Sequence, residues 1–403
     1  GAPVGPIDSF NRAQVAATFQ THVIENRTVN HGWNGSASSC RAGSASDAFD
    51  GATLETINWF RRMTGLPAVG ESQTASTSAQ QTALMMEAQN NLSHYPGADW
   101  ACHTSAGATA AGRSNLTLGI AGSRGVLGQI EDPGASNQAL GHRRWLLYPR
   151  LANVGIGNTA RASAVAVIGD FTSRPSAEWV AWPPPGYVPA ETVYDRWSLS
   201  LNDADQADFS RAVVSVTENG RAVQVRKLPI ANGYGDNTLG WEPVGITPDQ
   251  GRDVLYTVTV SNILVDGSPV TESYEFVAFD PGARATIAVS ASVSAAGGNH
   301  SCRGLTATIV GTPGADVITG TSGRDVIVGL GGNDLIRGAG GDDVICAGDG
   351  NDSVYGDAGN DRIFGGTGRD VLRGGSGRDL VSGQNGRDRI SGNQGNDLLL
   401  GGN

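Results

Sequence analysis

Aspartate recurs every nine residues through the last part of the chain, at Asp316, Asp325, Asp334, Asp343, Asp352, Asp361, Asp370, Asp379, Asp388 and Asp397. A glycine stands two positions before each, from Gly314 to Gly395. Stacked at one strand spacing, these carboxylates repel one another, so the array calls for a cation between its loops. Carboxylate and carbonyl oxygens in a flexible loop select a hard ion and suit Ca²⁺ better than Mg²⁺. All six histidines lie upstream of this stretch, and imidazole is the side chain that exchanges protons near neutral pH.

The elements that must position the aspartates are legible. Two positions after each aspartate comes an aliphatic residue: Ile318, Ile327, Ile336, Ile345, Val354, Ile363, Leu372, Val381, Ile390 and Leu399. Each centres a three-residue strand whose single apolar side chain points inward. The glycines before the aspartate make a turn that tolerates positive φ. Stacking buries an aliphatic ladder that no single repeat could bury alone. A disordered Gly/Asp tail has no need for an aliphatic residue in fixed phase. This stretch resembles the RTX calcium-binding nonapeptide, a parallel β-roll with two repeats per turn. The resemblance implies that carboxylates and loop carbonyls of adjacent turns hold each ion. Ala347 replaces one leading glycine, so that turn is expected to be strained. Arg324, Arg369, Arg378 and Arg387 precede their aspartates and should decorate the surface.

Upstream, residues 1–45 read as an irregular arm. From Asp47 the pattern becomes helical, with a stripe of Leu54, Ile57, Phe60 and Met63 closed by Gly65 and Pro67. A second helix is expected from about Ser76 to Asn91, with Leu84, Ala88 and Leu92 inward, and His94 follows its end. A short helix should end near Glu131-Asp132-Pro133. Gly141 to Pro149 (GHRRWLLYP) reads as helical and leads through Val154-Gly155-Ile156-Gly157 into a strand at 164–168. Three segments, 57–67, 83–94 and 137–157, resemble the CAP superfamily (cysteine-rich secretory proteins, antigen 5, pathogenesis-related proteins), in its bacterial branch.

That resemblance covers roughly residues 45–172. It implies an α-β-α sandwich with an open cleft where two histidines face two acids. His94 and His142 match the histidines, and Asp132, or else Glu131, matches the second acid. The family's G-E-N-L reads Gly112-Arg113-Ser114-Asn115-Leu116 here, so the first glutamate is missing and Ser114 or Arg113 takes its place. With one acid gone, a divalent metal in the cleft is a weaker expectation than a histidine pair with one carboxylate. A Ser114–His–Asp132 arrangement is conceivable, but no nucleophile-elbow glycines surround Ser114. The bland alternative for His142 is a satisfied histidine on a packed helix. His31 and His103 read as solvated loop residues, and His22 and His300 carry no signal.

From residue 178 the pattern turns to β. Trp182 to Tyr187 (WPPPGY) reads as a rigid connector docking by its aromatics, and Asn219-Gly220 is a two-residue hairpin signal. A small antiparallel sandwich of immunoglobulin-like type is expected over 178–285. Trp179, Trp182, Trp197, Trp241 and Tyr187 could form a sugar-stacking platform, although core packing is the better reading for most of them. The fold class is therefore multidomain α+β: a CAP-like sandwich with its arm at 1–175, the β-sandwich, a linker and roll entry at 286–310, and a parallel β-roll at 311–403.

The 28 Lys and Arg stand against 39 Asp and Glu, giving a net charge of −11, and nothing basic clusters. A nucleic-acid surface is not expected, nor is a transmembrane segment, since no apolar run is long enough. Four cysteines allow three pairings. Domain economy favours Cys40 with Cys102 and Cys302 with Cys346. Disulfides and calcium together point outside the cell, and the chain opens Gly1-Ala2-Pro3 as a processed mature chain would. Two readings follow. One is a secreted, or cell-surface-associated, calcium-stabilised module whose cleft binds an extracellular glycan, cell-wall or lipid ligand. The other is a secreted hydrolase of an extracellular polymer, with His94, His142 and Asp132 in proton transfer.

Overall fold

The computed structural model describes residues 7, 9, 11–172, 179–201, 207–231, 233–248, 251–265, 268–283, 301–303, 305–312 and 314–402. They fall into two compact units, Gly1–Thr286 and Ile287–Asn403. The linker expected over 286–301 lies, except for Ser301, outside the described residues.

The first unit opens with helix α1, Arg12–Phe19, where an irregular arm was expected. Asn11 caps it, and wider then tighter turns carry the chain on to Thr28. Val15, Phe19 and Val23, four residues apart, are all buried. That spacing was the overlooked signal.

Helix α2, Asp47–Met63, starts at Ser46, whose hydroxyl accepts the Phe49 N–H at 3.2 Å. Its buried face carries Ile57, Trp59, Phe60 and Met63. Arg61 on the same helix is fully buried and donates to the carbonyls of Pro67, Leu146, Tyr148 and Leu151. Helix α3, Gln73–Gln89, begins three residues before the expected start and stops at Asn90 in the left-handed region. Leu92, expected inward, lies beyond that stop and is exposed.

The sheet between these helices has the order β1 (Gly70–Glu71), β3 (Asn153–Asn158), β4 (Ala162–Ala166), β2 (Ser114–Leu118). Side chains alternate along β3. On one face Gly155 and Gly157 meet the backbone of α3 at Ala75 and Ala79, with no room for a Cβ. On the other, Asn158 reaches Asp50 and Thr53 of α2. The V-G-x-G pattern is thus a packing requirement, and the layers are α-β-α. Two shorter helices, α4 (Ser105–Ala111) and α5 (Ser123–Glu131), flank β2, and α6 (Gly141–Leu146) follows.

Among the described residues, the rest of the first unit forms a β-sheet of nine strands: β5 (Trp179–Trp182), β6 (Gly186–Pro189), β7 (Trp197–Leu201), β8 (Ala207–Asp208), β9 (Val213–Glu218), β10 (Arg221–Lys227), β11 (Thr238–Val244), β12 (Val254–Val265) and β13 (Ser268–Phe279). β10 pairs with β9 through residues 221–223 and with β11 through 224–227, so one strand serves two halves. An edge pair, β13 with β6, is parallel. This order does not establish the immunoglobulin-like type. Asn219 and Gly220 take φ of 48° and 78°, the left-handed pair a two-residue hairpin demands. Trp182, Trp197 and Trp241 are fully buried, which makes them core rather than a sugar platform. Trp182 packs against Trp59 and Phe60, joining the sheet to α2.

Among its described residues the second unit has a short antiparallel pair, Ser301–Cys302 with Leu305–Thr306, and then a parallel β-solenoid of two sheets, six and five strands, each strand pairing with the one eighteen residues on. Two nonapeptides therefore make one turn. Ile318 to Val381 of the predicted ladder are buried, joined by Ile309, with Ile390 partly buried and Leu399 exposed at the end. Ala347 is buried without left-handed φ, contrary to the strain expected there. The left-handed residues come one position later, at Leu330, Ala339, Asp357, Gln384 and Asn393 in other copies. Both expected disulfides are present, Cys40–Cys102 and Cys302–Cys346, and no cysteine is free.

Candidate functional site: a buried aspartate under a histidine, and an aspartate ladder

Asp132 closes α5. It takes φ 55°, and its N–H bonds to the Gly128 carbonyl at 2.9 Å. That left-handed turn carries its fully buried carboxylate back beneath the start of α6. Oδ2 accepts the backbone N–H groups of His142 (3.0 Å) and Arg143 (3.2 Å). Oδ1 lies 2.7 Å from His142 Nδ1. A carboxylate placed this way holds the Nδ1–H tautomer, which leaves the Nε2 lone pair on a ring whose side chain is 22% exposed.

The turn is held from both sides. Arg143 is buried and donates to the carbonyls of Ile130 (2.6 Å) and Glu131 (3.3 Å) and to Ser198 Oγ (3.2 Å). Its burial pulls the guanidinium down to about 10, so it stays charged at neutral pH. Arg196, which precedes β7, donates to the carbonyls of Asp132 and Gly134 and pairs with Glu242. Asn115 on β2 donates to the His142 carbonyl at 2.9 Å.

The other predicted residues are placed differently. His94 is exposed beyond α3, and its Nδ1 bonds the Ala111 carbonyl at 2.9 Å. A carbonyl only accepts, so Nε2 is again the ring nitrogen with the lone pair. His94 is thus tied to the end of α4 and His142 to Asn115, four residues later. Ser114 between them is buried and donates to the Ala110 carbonyl at 2.8 Å. Among the described residues it bonds neither histidine. Glu131 is half-buried and off the His142 pair. Burial, then Asp195, raises its carboxyl, and Arg143 and Arg196 oppose the rise. Among the described residues no three His, Cys, Asp or Glu side chains gather closely enough to hold a metal. Sequence reasoning missed Arg143, Arg196 and Asn115. Arg143 was visible inside the G-H-R-R-W segment, whereas Arg196 carried no signal.

In the solenoid the aspartates form two ladders. From Asp334 to Asp397, Oδ1 of each accepts the backbone N–H of the aspartate eighteen residues earlier, as in Asp334 from Asp316 (2.9 Å) and Asp370 from Asp352 (2.9 Å). Oδ2 of Asp334, Asp343, Asp352, Asp361, Asp370, Asp379 and Asp388 is buried and has no partner among the described residues. It sits over the glycine five positions back, where a Cβ would overlap it, as at Gly338 over Asp343 and Gly374 over Asp379. Four of the residues that precede an aspartate, Asn351, Asn360, Arg369 and Arg378, donate a backbone N–H to an outer ladder, as Arg369 does to Asn351 (2.8 Å), and their side chains stay exposed.

Burial pushes Asp334, Asp352, Asp361 and Asp370 up to about 7 and Asp343 to about 6. The preceding turn's N–H opposes this shift, and neighbouring carboxylates add to it. Rows of orphaned, partly protonated carboxylates in flexible glycine turns fit a hard divalent cation.

Residues 54–163 match the model of the cysteine-rich secretory protein family (CAP). Residues 310–345, 347–372 and 373–403 match the RTX calcium-binding nonapeptide repeat. The chain therefore carries a CAP domain and a C-terminal domain of RTX calcium-binding repeats. No curated protein and no solved structure matches it significantly. Among the described residues no helix is long and apolar enough to cross a membrane.

A pH dependence follows. Without metal, the folded roll holds protons that the unfolded chain has already released, between about pH 4 and 7. The ion-free roll therefore loses stability as pH rises through that window. Coordination demands ionised carboxylates, so calcium must displace those protons. Calcium affinity should fall about tenfold per displaced proton for each pH unit below the raised values. Calcium titrations at pH 8 and pH 5.5, with proton release followed in weak buffer, check this. Equal affinity at both, with no proton release, would contradict it.

Proposed function

We propose that this is a secreted calcium-binding protein whose RTX roll holds its ions on the ten aspartates Asp316 to Asp397 and on loop carbonyls. Its CAP domain engages an extracellular polymer or lipid through His94 and His142. CAP domains and RTX repeats are typical of secreted proteins, and the two disulfides suit an oxidising compartment.

The hydrolase reading has one observation in its favour, the 2.7 Å Asp132–His142 contact beneath a part-exposed ring. In this reading His142 Nε2 takes a proton from an attacking water or hydroxyl. Asp132 steadies the imidazolium, and His94 offers the second proton-transfer group. Glu131 and Ser114 stand outside that pair, and no cleft metal is invoked. The substrate class this favours is an extracellular polysaccharide or other polymer.

The test is a screen of glycan, cell-wall, lipid and peptide polymers with the wild type and His142→Ala. Proton transfer by His142 predicts turnover lowered by about 10²–10⁴ with binding retained. A pure binding cleft predicts no turnover in either protein and weaker binding in the variant. Unchanged binding and turnover in His142→Ala would remove the histidine cleft from both readings.

A further inference from the structure

A hollow of about 500 Å³ opens beside the start of α5, well away from Asp132 at that helix's other end. Its volume lies within the ordinary range of small-ligand sites. Its lining includes Arg27, His31, Ser123 and Arg124, and no aspartate or glutamate. Asn26 and Thr28 in the lining spend their donors on backbone carbonyls, but other lining groups keep a donor unused. Ser123 is 2% exposed, yet its hydroxyl has no partner among the described residues. Arg27 Nε is likewise buried and unpartnered. His31 Nδ1 accepts the Trp33 N–H at 2.9 Å, so the ring proton belongs on Nε2, again a donor. Arg124 is exposed and forms no ion pair among the described residues.

The backbone adds to this. Gly122 gives α5 no side-chain cap, so the first N–H groups of a nine-residue helix meet the hollow at its positive dipole end. Glu191 is engaged by Arg27 Nη2, and with Glu131 it lines a neighbouring hollow that shares Arg27 and Arg124, so the anion is held by the donors those carboxylates leave unused. Two unsatisfied buried donors, a free guanidinium and a helix start around one cavity have a common complement.

We infer that this hollow binds a tetrahedral oxyanion, phosphate or sulfate, carried on a larger molecule that fills the remaining space. Arg124 and the α5 N-terminus hold the charge, and Ser123 and Arg27 Nε supply fixed hydrogen bonds. The site is separate from the His142 pair and stands whichever reading of that pair holds.

The experiment is calorimetric titration of the calcium-loaded full chain with sulfate and with glucose 6-phosphate, both compatible with calcium in solution. Saturable binding of both is expected, tighter for the sugar phosphate. Arg124→Ala should weaken each by about tenfold or more, with Arg124→Lys recovering part of it. Ser123→Ala should weaken each about fivefold. His142→Ala should change nothing, and circular dichroism should show each variant folded. No saturable binding of either probe overturns the inference, as does an Arg124→Ala protein that binds normally. Equal affinity for the two probes overturns the claim that the anion is part of something larger.

Discussion

Removing calcium with a chelator should unfold the second unit and leave the first intact. Far-ultraviolet circular dichroism should lose its solenoid strand signal, limited proteolysis should cut within 311–402, and added calcium should restore both. The cause is the seven buried Oδ2 atoms that have no partner among the described residues. Each unsatisfied buried polar group costs about 1–3 kcal/mol, and a charged one costs more. Together such groups rival the ~5–15 kcal/mol that stabilises a whole domain. The aliphatic ladder is one residue wide on each side and cannot offset that alone. Ion binding is then largely folding free energy. A strand signal unmoved by chelator would mean that the carboxylates are satisfied in some other way.

Arg143→Ala should be the most damaging single change in the first unit. The side chain is 1% exposed, and its three donor atoms reach Ile130, Glu131 and Ser198. Truncation leaves those acceptors unpaired and strips the positive charge from beside the fully buried Asp132. Breaking a buried charge pair in this way costs about 3–5 kcal/mol. The urea midpoint of the first unit should fall accordingly, and the Asp132–His142 contact should loosen with it. Arg113→Ala is the control: Arg113 is exposed, and its loss should shift stability by no more than about 0.5 kcal/mol. Equal midpoints for the two variants would show that Arg143 does not hold the turn.

Much of this molecule was legible one residue at a time. The nine-residue phase located the repeat and its inward ladder, because a stacked repeat must present the same side chain at the same place in every copy, and the RTX resemblance supplied the two repeats per turn. The α2 stripe and the Asn219-Gly220 hairpin were local patterns with local causes, and the disulfide partition followed from keeping each pair within one domain. The G-H-R-R-W segment pointed to His142, and Asp132 was marked beside it.

The tertiary structure decided which of the marked residues meet. Asp132 reaches His142 because one residue adopts φ 55° and folds the end of α5 under the start of α6. Ser114, equally plausible in the sequence, spends its hydroxyl on the Ala110 carbonyl. The arginine that clamps the Asp132 turn comes from 64 residues downstream. Periodicity is a property of neighbours along the chain, so sequence conveys it directly. Convergence of a carboxylate, an imidazole and two guanidinium groups is a property of distant segments packed in space, and no spacing rule encodes it.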